Sequence, residues 1–339
     1  MSNGYKVAIV GATGAVGREM ISVLEEREFP VKELLLLASE RSEGEKIRFH
    51  GEEVVVRRLT EDSFGDVDIA LFSAGGGISR QFVPHAVKAG AVAIDNSSAF
   101  RLEPDVPLIV PEVNASDIAG YEERGIIANP NCSTIQMIVA LGPIHRAAVI
   151  ERVRVCTYQS VSGAGQKGIE ELSNQTRRLF NSQEVVTEAF PHRIAFNVIP
   201  HIDDFRPNGY TGEEMKMIDE SRKIMHLPDL PISATCVRIP VFYGHAEAVT
   251  VETGRKLTAA EARDILRGAE GVKVLDTPLE NVYPMPLLAS GDDATFVGRI
   301  REDLSHERGL EMFVVADNVR KGAATNAVQI AERLVREHL

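Results

Sequence analysis

Residues 6–27 read KVAIVGATGAVGREMISVLEER. The run KVAIV is short, apolar and rich in β-branched side chains, as a buried parallel strand requires. It passes directly into GATGAVG at 11–17. The following segment carries Val16, Met20, Val23 and Leu24 at helical spacing. A glycine cluster between a strand and a helix is a dinucleotide-binding turn. Gly11 permits the tight turn, Gly14 lets backbone approach a pyrophosphate, and Gly17 lets the helix lie close to the strand. The phosphates then sit at the helix N-terminus. The spacing is GxxGxxG rather than GxGxxG, so the flanking strand and helix carry much of the inference.

A second apolar run, ELLLLAS at 33–39, ends in Ser39-Glu40-Arg41-Ser42. In this architecture the end of the second strand meets the adenosine ribose. Ser39, Arg41 and Ser42 suit a 2′-phosphate, whereas Glu40 would repel one if it pointed inward, so the expected cofactor is NADP. Strand-like runs continue at 67–77 (VDIALFSAGGG), 91–98 (AVAIDNSS), 106–110 (VPLIV) and 125–129 (GIIAN). Such a series predicts an open, mostly parallel sheet whose ligands bind at the strand carboxyl ends.

The chain has 339 residues, 44% of them apolar and 25% charged, with a formal charge of −12. That length suggests two domains, and that charge argues against a nucleic-acid partner, which needs a basic face. Cys132, Cys156 and Cys236 show no CxxC spacing. Neither a disulfide framework nor a metal site is expected, and the natural setting is a reducing cytoplasm. No signal peptide or membrane-spanning run is expected either.

One cysteine stands apart. In IANPNCSTIQM at 127–137, Cys132 follows a strand end and opens a helix for which Asn131 is the expected N-cap. Orphan N–H groups and the helix dipole there stabilise a thiolate. Pro143 should kink or end that helix. Most cysteines are inert apolar residues, so a nucleophile also needs a partner. Among the nine histidines, His245 sits at a glycine break in VRIPVFYGHAEAV at 237–249, where it could be aimed into a cleft.

Taken together, GATGAVG, ASERSEG, DNSSAFR, VPEVN, NPNCSTIQM, TYQSVSGAG, IAFNVIPHID, YTGEEMKM, CVRIPVFYGHAEA, TFVGRIRED and DNVRKGAATNAVQIAE resemble the aspartate-semialdehyde dehydrogenase family nearly end to end. The resemblance implies NADPH-dependent reductive dephosphorylation of L-aspartyl-4-phosphate to aspartate semialdehyde, in lysine, methionine and threonine biosynthesis. It implies Cys132 as nucleophile, His245 as general acid/base and Gln159 as the residue that orients the acyl intermediate. Arg238 would clamp the α-carboxylate, Glu213 would meet the α-amino group, and Arg101, Asn131 and Lys216 would hold phosphate. The cofactor would lie on Gly11, Thr13, Gly14, Ala15, Val16 and Gly17, on Ser39, Arg41 and Ser42, and on Ser73, Ala74 and Gly75. Ser162, Gly163 and Asn326 complete the expected cofactor set.

The fold expected is therefore α/β. Residues 1–128 with 318–339 would form a Rossmann-type NADP-binding domain, closed by an amphipathic C-terminal helix that packs back on it. Residues 129–317 would form an α+β catalytic and dimerisation domain with a mixed, largely antiparallel sheet, one side of which is open to a second copy in a homodimer. N-acetyl-glutamyl-phosphate reductase is the nearest alternative, but there the cysteine is usually flanked by glycine and an aromatic residue rather than by Asn131 and Ser133. A short-chain dehydrogenase would need a YxxxK pair, and no tyrosine here has a lysine four residues on. A cofactor-binding regulator without catalysis would have no use for Cys132, Gln159, Arg238 and His245 together.

Overall fold

The computed structural model describes residues 4–339. The chain divides into two compact units, Met1–Asn131 with Ala323–Leu339, and Cys132–Gly322. The crossings fall a few residues later than the sequence suggested. The connection NPN stays with the strand that precedes it, and the second unit runs on into the last helical segment.

The first unit contains β1 (Tyr5–Val10), α1 (Ala15–Glu26), β2 (Val31–Ala38), β3 (Lys46–Phe49), β4 (Glu52–Arg58), β5 (Ile69–Phe72), α2 (Gly76–Lys88), β6 (Val92–Asp95), α3 (Pro111–Asn114) and β7 (Ile126–Ala128). Its sheet runs β3-β4-β2-β1-β5-β6-β7, parallel throughout except where β3 turns back on β4. The order reverses at β1, so the crevice at its carboxyl end is where a doubly wound sheet takes its ligand. Along β1, Val7 and Ile9 join Met20, Ile21 and Leu24 of α1 in one core. Ala8 and Val10, on the opposite face, are also fully buried, as befits a parallel strand covered on both sides.

VPLIV at 106–110 does not form a strand. Its one ladder contact is a bridge between Leu108 and Ala128, and Pro107 and Pro111, each lacking an N–H, leave little to pair. The C-terminal amphipathic segment does return. A π-helical turn at Arg320–Ala324 leads into α9 (Thr325–Glu337), which lays Ala327, Val328, Ile330, Ala331 and Leu334 into the same core as β1. Arg27 grips Glu332 through two bonds of 2.8 and 2.7 Å, tying α1 to α9.

The second unit contains α4 (Cys132–Ala148), β8 (Ile150–Gln159), α5 (Gln166–Phe180), α6 (Gly212–Ile224), β9 (Ile232–Arg238), β10 (His245–Thr253), α7 (Ala259–Arg267), β11 (Val272–Val274), α8 (Pro286–Ala289), β12 (Thr295–Glu302) and β13 (Gly309–Ala316). Its sheet runs β11-β12-β13-β10-β8-β9. Three of its ladders are antiparallel, while β8 with β9 and β11 with β12 are parallel. α4 does not end at Pro143 but continues to Ala148, and it is buried on all sides from Ser133 to Ile144. Packing around the whole circumference holds the helix despite one missing backbone donor. Among the described residues no helix is long and apolar enough to cross a membrane.

Candidate active site

Register builds the site in the second unit. β8 pairs in parallel with β9, matching Gln159 to Arg238. On its other side β8 pairs antiparallel with β10, matching Tyr158 to Ala246 and so leaving His245 level with Gln159. Three side chains distant in sequence thus end three adjacent strands on one face. The sequence suggested a single strand broken at Tyr243-Gly244 and then resumed. Instead β9 stops at Arg238, and residues 239–244 carry the chain across β8 to its opposite side.

The three are then locked. Arg238 is buried and donates from Nη1 to the Ser160 carbonyl at 2.6 Å. Gln159 donates to Oε1 of Glu213 at 3.0 Å, and Lys216 meets Glu213 at 3.3 Å and Asp203 at 2.9 Å. Thr211 caps α6 in a capping box with Glu214, which fixes the first turn from which Glu213 and Lys216 project. Burial lowers the pKa of Arg238, while the charges of Glu213 and Cys132 raise it. The same attraction places Cys132 within the field of the guanidinium.

His245 is fully buried. Its Nδ1 accepts from the Ser160 N–H at 3.1 Å and lies 3.0 Å from Ser160 Oγ. Its Nε2 has no hydrogen-bond partner. Burial, and then the charge of Arg238, push its pKa well below the ordinary histidine value. Gly163 packs over both residues. A Cβ there would stand 2.7 Å from Arg238 Nη1 and 3.1 Å from His245 Nε2, so this loop position can hold only glycine without moving the site. Gly322, on the π-helical turn, has the same relation to Cys132, since a Cβ would fall 2.7 Å from the cysteine Cβ. Sequence inspection missed Gly322, and it missed Ser160 and Asn318, although QSVSGAG and DNVRKGAA had both been singled out. It also missed Gln136, which donates from α4 to the His245 carbonyl at 3.3 Å.

In the first unit the glycine turn fits a dinucleotide. Gly11 has φ +87°, and a Cβ on it would lie 2.5 Å from the Ser73 carbonyl. A Cβ on Gly17 would lie 2.2 Å from the Gly11 carbonyl. Gly14 caps α1 with no side chain on its N–H groups, so the orphan donors that run through Ala15, Val16 and Gly17 are open to an anion. Thr13 Oγ1 lies 3.2 Å from Ser42 Oγ, joining this turn to the 3₁₀ segment Glu40–Ser42 that Ser39 caps after β2. Arg41 is exposed, and Glu40 is paired with Arg58 at 3.2 Å. Ser73, Ala74 and Gly75 follow β5, with Gly75 at φ +86° heading α2. Arg101 is buried and donates to the carbonyls of Asn129 and Asn96, each at 2.9 Å. Asn326 is fully buried and donates to Ile109 O at 3.0 Å and Asn129 Oδ1 at 2.7 Å. Asn131, the last residue of this unit, is also buried.

Comparison with known proteins places both units in one family. Residues 6–121 match the semialdehyde dehydrogenase NAD binding domain, and residues 141–321 match the semialdehyde dehydrogenase dimerisation domain. The chain is 60% identical to aspartate-semialdehyde dehydrogenase of Aquifex aeolicus, with 99% of each covered. It is 55% identical to aspartate-semialdehyde dehydrogenase 2 of Vibrio cholerae over the whole of both chains. A crystal structure of aspartate semialdehyde dehydrogenase II from Vibrio cholerae, complexed with ASA, superimposes with a TM-score of 0.98 at 55% identity, each chain fully covered. The Candida albicans enzyme, solved with NADP, superimposes with a TM-score of 0.75 at 25% identity over 98% of each chain.

Proposed function

Because the chain belongs to the aspartate-semialdehyde dehydrogenase family, we propose that its reaction, the reversible reductive dephosphorylation of L-aspartyl-4-phosphate to L-aspartate 4-semialdehyde, runs through a thioester on Cys132. The observation that carries this reading is the convergence of Gln159, Arg238 and His245 on one strand-end row, with Cys132 in the field of Arg238.

The thiolate attacks the acyl carbon, the carbon–oxygen bond to phosphate breaks, and phosphate leaves with the electron pair. The nicotinamide dinucleotide, when bound, supplies the hydride that reduces the thioester. Collapse of the resulting thiohemiacetal breaks the C–S bond and restores the thiolate. Arg238 holds the α-carboxylate with its planar fork. Glu213 meets a free α-amino group, which favours aspartyl phosphate over an N-acetylated glutamyl phosphate. Gln159, steadied by Glu213, orients the acyl group. Lys216, Arg101 and Asn131 bind phosphate, and His245 faces the carbonyl oxygen with Nε2.

In the first unit Gly11, Thr13, Gly14, Ala15, Val16, Gly17, Ser73, Ala74 and Gly75 would hold the dinucleotide, with Asn326 as a further candidate there and Ser162 and Gly163 as candidates in the second unit. We read it as NADP. Ser39, Arg41 and Ser42 would receive the 2′-phosphate, Glu40 is already engaged by Arg58, and the Candida albicans relative was solved with NADP. The half-exposed face of the second sheet, where Tyr158 and Phe313 lie with ring centroids 6.2 Å apart, suits a homodimer. A reducing cytoplasm suits the catalytic thiol.

The test is NADPH formation from aspartate semialdehyde, phosphate and NADP, run beside N-acetyl-glutamate semialdehyde and NAD. Cys132→Ala should abolish turnover. Appreciable residual turnover, or preference for the N-acetylated aldehyde, would overturn the mechanism or the substrate respectively.

A further inference from the structure

His245 sits in a hydrogen-bond network whose protons can be assigned from valence alone. The Gly244 N–H can only donate, and it lies 3.0 Å from Asn318 Oδ1, so that atom of the amide is the oxygen. Ser160 Oγ and Ser162 Oγ also approach Asn318 Oδ1, at 3.1 and 3.0 Å. An amide oxygen offers two lone pairs. Gly244 takes one; the two hydroxyls also lie 3.0 Å from each other, so Ser162 can donate to Asn318 or to Ser160, and the Ser160 hydroxyl lies 3.0 Å from His245 Nδ1. The Ser160 N–H already points at Nδ1 from 3.1 Å, and it too can only donate. That backbone donor cannot reverse, so Nδ1 must present a lone pair to it. In a neutral ring the proton then belongs on Nε2, the atom that is fully buried, without a partner, and next to Gly163.

We propose that Ser160 and Asn318 are positioning residues that hold His245 as the neutral Nε2–H tautomer, so that the ring donates a hydrogen bond to the oxyanion at the reacting carbon instead of taking the Cys132 proton. This rests on the cysteine thioester reading above. The consequences are chemical. A ring with no lone pair on Nε2 cannot act as base toward the thiol. An imidazolium would place a second N–H against the Ser160 N–H. Burial and Arg238 oppose that form further. A fixed donor aimed at developing negative charge needs no reorganisation when the charge appears, and a neutral imidazole can fill that role.

The experiment is ¹⁵N NMR of the full-length protein labelled at histidine, with His245 assigned by loss of its signals in His245→Asn. We expect a non-protonated Nδ1 and a protonated Nε2 throughout about pH 5.5–8.5, a window that would titrate an ordinary histidine. A protonated Nδ1, or titration to imidazolium within that window, would overturn the proposal. This readout does not depend on turnover, so it separates from the fate of the thioester mechanism.

Kinetics give the second arm. Asn318→Ala, which removes the acceptor of the Gly244 N–H beside His245 and of the Ser162 hydroxyl, should lower kcat about tenfold. KM for the aldehyde should stay within about twofold. Asn318→Asp keeps the oxygen and adds a charge, so it should restore the geometry and introduce an acidic limb in the kcat profile as His245 becomes easier to protonate. If both variants match wild type in kcat and pH profile, Asn318 does not position the ring.

Discussion

Gly322 and Cys132 touch: a single added carbon on the glycine would lie 2.7 Å from the cysteine Cβ. Cys132 therefore owes its placement to a residue defined by what it lacks. Gly322→Ala should displace the sulfur by a few tenths of an ångström or more. Overpacking of this kind costs about 1–3 kcal/mol, and misplacement of a reacting atom costs about 10²-fold in rate. Steady-state kinetics beside a thermal melt would check this, and unchanged kcat would show that the π-helical turn yields without moving the thiol.

Arg238→Lys should raise the aldehyde KM by about ten- to a hundredfold, the cost of losing charge-assisted hydrogen bonds. The substituted lysine keeps the charge but loses the fork, and it also releases the Ser160 carbonyl that Arg238 now holds at 2.6 Å. A modest fall in kcat should accompany the KM effect. An unaltered KM would remove the carboxylate clamp.

Glu247 gives a pH prediction. It lies on the same face of β10 as His245, is fully buried, and neither carboxylate oxygen has a hydrogen-bond partner. Burial pushes its pKa well above the ordinary glutamate value, and the charge of Glu213 adds to the shift. Nearby Gln136 opposes the shift and is outweighed. The folded protein thus keeps this proton where the unfolded chain has lost it. Stability should fall as pH rises from the unfolded glutamate pKa towards the raised folded one. Glu247→Gln, isosteric with the neutral acid, should flatten that decline and raise Tm at pH 8 by about 2–4 °C for each kcal/mol recovered. Parallel Tm–pH curves for the two proteins would mean that Glu247 is ionised when folded.

Gly17→Ala should damage the first unit. Its Cβ would fall 2.2 Å from the Gly11 carbonyl and 2.9 Å from Ala12 Cα, both backbone atoms that cannot swing aside. We expect a stability loss of about 1–3 kcal/mol and weakened binding of NADPH, measured by fluorescence titration. Wild-type affinity would show that the turn tolerates an open α1.

Sequence disclosed most where the determinants are local. GATGAVG specifies its turn and helix start within seven residues, and Cys132 at a helix opening is legible from Asn131 and Pro130 alone. It disclosed least where partners are distant. Nothing near Tyr243-Gly244 reveals that β9 and β10 lie on opposite sides of β8, because that choice is made by ladders formed across the sheet. VPLIV has a strand's composition but holds Pro107 and is followed by Pro111, and it ends as one bridge. Pro143 ought to interrupt α4, yet tertiary packing overrides it. Ser160 and Asn318 carry ordinary polar side chains far apart in the chain, and only the hydrogen bonds at Asn318 Oδ1 bring out their shared role.

The contact between Cys132 and Gly322 has one more consequence, because these are the first and last residues of the second unit. That unit enters and leaves the chain at a single point. From the standpoint of β7 and α9, a whole domain is a loop whose ends are already joined, so its length imposes almost no closure entropy on them. The seam of this covalent detour is also the reactive atom's address. Any lengthening of the chain at either crossing should register first as altered thiol reactivity, well before it registers as a loss of folding.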